Sequence, residues 1–129
     1  MIPHPPKSAE LGDAGSHYNL SVMYHQGEGV EKDEKMELHH LEEAAIGGHP
    51  GARYNIGCVE WNNRRVERAV KHFIIAANLG YDNALKTLKD KYAAGVVSKE
   101  DFASALHGHQ AAIDAIKSPQ RDAADAART

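Results

Sequence analysis

Histidine is the residue type here with the most chemical potential: nine occur in 129 residues, and imidazole both titrates near neutral pH and ligates metals. His39-His40 and His107-x-His109 are the tightest groupings. Side chains one and two positions apart on a helix diverge by about 100° and 200°, so neither pair converges on one ion as an i,i+4 pair would. Cys58 is the single cysteine and has neither a companion ligand nor an internal disulfide partner. It reads as a buried, inert thiol in a reducing compartment. No metal and no cofactor is therefore expected. His17, His49 and His72 show no partner in the spacing, whereas His40 and His72 stand at equivalent places, each four residues before an alanine pair, which points to a structural role.

Nucleophilic catalysis needs a base beside the nucleophile and an oriented acid. Ser16, Ser21, Ser98, Ser104 and Ser118 lie outside any Gly-x-Ser-x-Gly elbow, and Gly27-Glu28-Gly29 lacks the lysine and spacing of a phosphate loop. The expectation is a protein that is not an enzyme. A small-molecule or metal-dependent enzyme on a helical scaffold stays open as the alternative, because the histidines are so many.

Charge restricts the partners. The net charge of −3 provides no positive field to hold nucleic acid or an anionic membrane. Locally the chain is more polarised, with seven acids against two lysines from Glu28 to Glu43, and five basic residues against two acids from Arg53 to Lys71. Solvated helix faces account for this simply; steering of a charged partner is the sharper reading. The start Met1-Ile2-Pro3-His4-Pro5-Pro6 lacks the basic and apolar regions of a signal peptide, and no apolar run approaches a membrane span of roughly 18 residues. A cytoplasmic location is expected.

The elements that must position these residues are helices that repeat. Tyr18-Asn19-Leu20 recurs as Tyr54-Asn55-Ile56, 36 residues on, and Ala44-Ala45-Ile46-Gly47-Gly48 recurs as Ala76-Ala77-Asn78-Leu79-Gly80, 32 residues on. The difference of four places a deletion in the second copy's inter-helix linker, Trp61-Asn62-Asn63-Arg64-Arg65. A weaker third copy runs from Ala84 through Leu88 and Tyr92 to Gly95-Val96-Val97. Apolar or small residues three and four apart, such as Ser16, Leu20, Met23 and Tyr24, predict helices, and nothing alternates like a strand. Glycines at 27, 29, 47, 48, 80 and 95 fall at helix ends, where a left-handed conformation closes a helix.

Ser98-Lys99-Glu100-Asp101 marks the start of the last long helix, and Phe102, Leu106, His109, Ile113 and Ile116 form its packing stripe up to a stop at Ser118-Pro119. The layout predicted is an extended Pro-rich leader (1–8) and a helical repeat domain (9–117) followed by a flexible tail (118–129). Its repeats fall at about 12–47, 48–79 and 80–117. The fold class is all-α, a stack of antiparallel helix pairs with a C-terminal capping helix. One pair cannot bury its own apolar face, so stability comes from neighbours, and exposed stack ends make self-association possible.

The first copy, Leu20-x-x-x-Tyr24-x-x-Gly27-x-Gly29-Val30-x-x-Asp33 followed by Ala44-Ala45-x-x-Gly48, resembles the Sel1-like repeat, a relative of the tetratricopeptide repeat. The second matches through Ala52, Ile56-Gly57, Ala69, Phe73, Ala76-Ala77 and Gly80, and the third in its first helix and loop only, so the resemblance covers roughly residues 10 to 97. Glu37 stands where that family has a small residue, Ser21 and Lys89 where it has glycine, and Glu60 where it has tyrosine. The resemblance implies a right-handed superhelical solenoid whose first helices line a concave surface, in proteins that mostly act as adaptors. It also implies a protein or peptide partner on that surface. The contact residues it selects are Tyr18, Val22, His25 and Gln26 in the first copy, Tyr54, Cys58, Trp61 and Asn62 in the second, and Lys86 and Asp90 in the third. Trp61 and Tyr54 are the expected anchors, being large, rigid and polar at the tip.

Overall fold

The structure, a computed structural model, describes residues 13–127, with side chains through Lys117. The leader expected at 1–8 lies outside the described residues. Six helices and no strand occur among the described residues: α1 (Ala14–Gln26), α2 (Glu34–Ile46), α3 (Pro50–Asn62), α4 (Val66–Asn78), α5 (Asp82–Ala93) and α6 (Lys99–Ala127). They form successive helix pairs, and no described helix is long and apolar enough to cross a membrane.

Each start has a local cause. The Asp13 carboxylate accepts the Ser16 N–H at 2.8 Å to begin α1, and Asp33 accepts the N–H groups of Lys35 and Met36 at 3.0 and 3.2 Å to begin α2. These bonds satisfy donors that a helix leaves orphaned in its first turn. At α6 the Ser98 hydroxyl accepts the Asp101 N–H at 3.1 Å, as its sequence predicts. At α3 the cap is a histidine: His49 Nδ1 accepts the Ala52 N–H at 3.0 Å, with Pro50 as the first helical residue. Gly27 closes α1 at φ 74°, its N–H donating to Met23 O at 2.8 Å.

The chain divides into two compact units, one up to His72 and one from Phe73 onward, so that the boundary falls inside α4. In the first unit α1 packs on α2 and α2 on α3, around Leu41, Ala44, Ala45, Ala52 and Ile56, with Tyr18, Leu38 and Val59 against them. Ala44 and Ala52 are wholly buried, so the helices meet without bulk between them. In the second unit Phe73, Ala76, Ala77, Ala84, Leu88, Val97 and Ala105 are buried, and Asp82 Oδ1 lies 2.7 Å from His109 Nε2 across α5 and α6. There the Asn78 side chain lies directly against the backbone of Gly108, in space that a Cβ would need.

Several expectations are corrected. The buried residues of α1 are His17 and Ser21, not Ser16 and Leu20. This helix has no continuous apolar stripe, so its seam is set by a small hydroxyl and a paired imidazole instead. Ser21 Oγ donates to Tyr18 O at 2.6 Å, and His17 Nδ1 lies 2.9 Å from His40 Nδ1. His17 therefore has a partner that spacing did not reveal. Gly47 has φ −75°, outside the left-handed region; what it avoids is a side chain 2.8 Å from the Ala14 methyl.

Two more corrections concern helix faces and ends. On α6, Leu106 and Ile116 are 44% and 63% exposed, so the buried stripe is narrower than drawn, centred on Ala105 and His109. The same helix continues through Ser118-Pro119, where a stop was expected, to Ala127. Alanine, the strongest helix former, supplies four of residues 123–127.

The shortened second linker closes tightly. Arg64 takes φ 63°, the single positive value among described non-glycine residues, and Arg65 N–H donates to Glu60 O at 2.9 Å.

Candidate binding groove

Between α1, α2 and α3 lies a trough of about 300 Å³. Ser21, Val22, His25 and Gln26 reach it from α1, Glu37 from the first turn of α2, and Asn55, Cys58, Val59 and Asn62 from α3. The i, i+3/i+4 steps along α1 and α3 put these side chains on facing helix surfaces. A second depression of about 240 Å³ shares His25, Glu37, Val59 and Asn62 with it, and adds Lys32, Glu34 and Asn63.

Across the trough His25 Nδ1 lies 3.0 Å from Glu37 Oε2, the histidine side chain 65% exposed and the glutamate 15%. The wall offers amides from Gln26, Asn55 and Asn62, each able to donate and accept, and apolar surface from Val22 and Val59. Such a lining can both form hydrogen bonds and bury apolar surface. Among the described residues no group of three or more His, Cys, Asp and Glu is placed to hold a metal ion.

Of the residues expected to face a partner, Val22, His25, Gln26, Cys58 and Asn62 line the trough together. Cys58 is half-buried, where a buried thiol was expected. Tyr18 is turned to the core: its ring stacks on His49 at 4.3 Å and 16°, and its hydroxyl accepts a long bond from Asn55 Nδ2 at 3.4 Å. Tyr54 and Trp61 are half-buried on α3 and do not line either depression. Lys86 and Asp90 are exposed on α5 in the second unit.

Sequence reasoning missed Ser21, Glu37, Asn55 and Val59 as trough residues. On α3 the trough face is 55, 58, 59 and 62: Cys58 and Asn62 are as read from the repeat, and Asn55 and Val59 stand where Tyr54 and Trp61 were expected. Two of the four carried a signal all the same: Ser21 and Glu37 are departures from the repeat pattern, polar where the pattern is small.

Another depression of about 280 Å³ is lined in part by Ile46, Arg53, Glu60, Arg68 and His72. Glu60 is buried, and its Oε2 lies 3.6 Å from Arg65 Nη1 and 3.9 Å from Arg68 Nη1, distances of ion pairing and not of hydrogen bonding. His72 Nδ1 lies 3.5 Å from Arg53 Nη1. Burial, and then the Arg53 charge, lowers the His72 pKa. His40 is likewise lowered, by burial first and then by His39 and His17, and His49 by burial alone.

Tandem helix pairs closed by glycine turns and joined through buried alanines define a helical repeat protein. Two solved structures are similar to it. The Sel1 repeat protein from Oxalobacter formigenes is 25% identical with a TM-score of 0.64, over 83% of this chain and 92% of that one. A protective antigen present in uropathogenic Escherichia coli strains, displaying an SLR fold, is 30% identical with a TM-score of 0.64 over 83% of this chain, which spans 24% of the antigen's chain. No family model and no curated protein sequence matches the chain. The fold is that of these Sel1 repeat structures, and the repeat motif agrees with it.

Proposed function

We propose that the chain is a non-catalytic adaptor that binds a partner protein or peptide in the trough between α1, α2 and α3. The observation that carries this reading is convergence. Five side chains selected for their place in the repeat meet in one depression, beside Asn55 and Glu37, with an amide-rich wall and an apolar floor. In the same reading one repeat occupies each of the segments 12–47, 48–79 and 80–117, and the protein works in the cytoplasm. Lys86 and Asp90 are the contact residues of the third repeat in that reading.

Peptides selected from a random display library against the full chain test it. Replacing Asn55 and Asn62 with alanine together should weaken the selected peptides by about tenfold or more, since each amide contributes roughly one hydrogen-bond equivalent. Circular dichroism should be unchanged, because Asn62 is exposed and Asn55 half-buried. Undiminished affinity in this double variant would place binding elsewhere.

A further inference from the structure

We infer that the segment this trough takes is cationic, an extended stretch that sets a lysine or arginine against Glu37; the inference rests on the binding role proposed above. The lining of the two joined depressions carries Glu34 and Glu37 as acids and Lys32 as its one lysine or arginine, with His25. The segment from Glu28 to Glu37 that borders it holds five acids against two lysines. An anionic segment would meet like charge at Glu34 and Glu37, whereas a cationic one is both steered and held.

Glu37 is the point of attachment because its carboxylate is mostly enclosed yet borders the trough, where a charge-assisted bond is less screened than at an open surface. Val22 and Val59 line the same trough and suit the aliphatic stem of a lysine or arginine. The amides of Gln26, Asn55 and Asn62 suit the backbone on either side. His25 occupies Glu37 Oε2 at 3.0 Å from a largely exposed position, so it is a built-in competitor that an incoming cation displaces. Two substitutions at one contact should therefore act in opposite directions. Removing Glu37 removes the attachment, and removing His25 frees it.

The test uses the full 15N-labelled chain and three serine-rich nonapeptides carrying three lysines, three glutamates or neither. The lysine peptide should shift the amide resonances of trough residues such as Val22, Glu37 and Asn55, more weakly as salt rises. Glu37→Gln should lower its affinity about tenfold, the size expected for a charge-assisted bond, and His25→Ala should leave it equal or raise it. Glu34→Gln, at an exposed position, should lower it by a smaller factor and serves if Glu37→Gln does not fold. Equal shifts from the glutamate or neutral peptide at the same resonances would overturn the charge assignment and leave the binding groove standing. Loss of affinity in His25→Ala, or no shift in the trough from the lysine peptide, would also overturn the inference; the library selection above judges the groove independently.

Discussion

Arg64 is the residue whose backbone works hardest. At φ 63° it occupies the left-handed region that costs a side-chain-bearing residue about 1–2 kcal/mol, and it does so because the second linker is four residues shorter than the first. Glycine relieves that strain but frees the unfolded chain by about 0.4–1 kcal/mol, so Arg64→Gly should stabilise by roughly 0.5–1 kcal/mol in urea denaturation. Gly47 makes the opposite case. It needs no left-handed backbone, yet a methyl there would stand 2.8 Å from that of Ala14, so Gly47→Ala should destabilise by about 1–2 kcal/mol. Both were visible as turn residues in the sequence. Which of them carries backbone strain and which a close approach was not, because that depends on the packing of a helix distant in the chain.

Helices α1, α2 and α6 begin on side chains of conventional type, aspartate and serine, and the start of α6 was legible as such. Helix α3 begins on His49, and histidine is no customary cap, so sequence reasoning passed over it. Its Nδ1 can accept the Ala52 N–H only while unprotonated, in keeping with a pKa that burial holds below 6.5. His49→Ala should cost about 1 kcal/mol at pH 8 by chemical denaturation, and His49→Asn less. The penalty of the alanine variant should shrink towards pH 5, where the parent's own cap is lost. The register of whole faces was harder to read than their existence. On α1 the buried positions are 17 and 21, and on α3 Asn55 and Val59 join the expected Cys58 and Asn62 at the trough in place of Tyr54 and Trp61, because half-buried polar residues leave the rotation of each helix to its neighbours.

For the molecule as a whole, the repeat was the most legible feature because so many positions state it at once: the paired alanines, the glycine turns and the recurring Tyr-Asn. The trough was legible in part, through five residues, and its acid at Glu37 stood out only as a departure from the pattern. Three histidines of the first unit, His40, His49 and His72, have folded-state pKa values lowered chiefly by burial. The unfolded chain therefore takes up protons first, so stability is fully present above about pH 6.5 and falls as pH drops below it. Thermal unfolding should show a lower Tm at pH 5.5 than at pH 7.5; a flat profile would contradict this. The contact of His17 with His40, Nδ1 to Nδ1 at 2.9 Å, has a consequence of another kind. When both rings are uncharged, a single hydrogen sits between them, so one imidazole must be the Nδ1–H tautomer and the other the Nε2–H tautomer. Two proton arrangements satisfy this one contact, told apart solely by which ring owns that hydrogen.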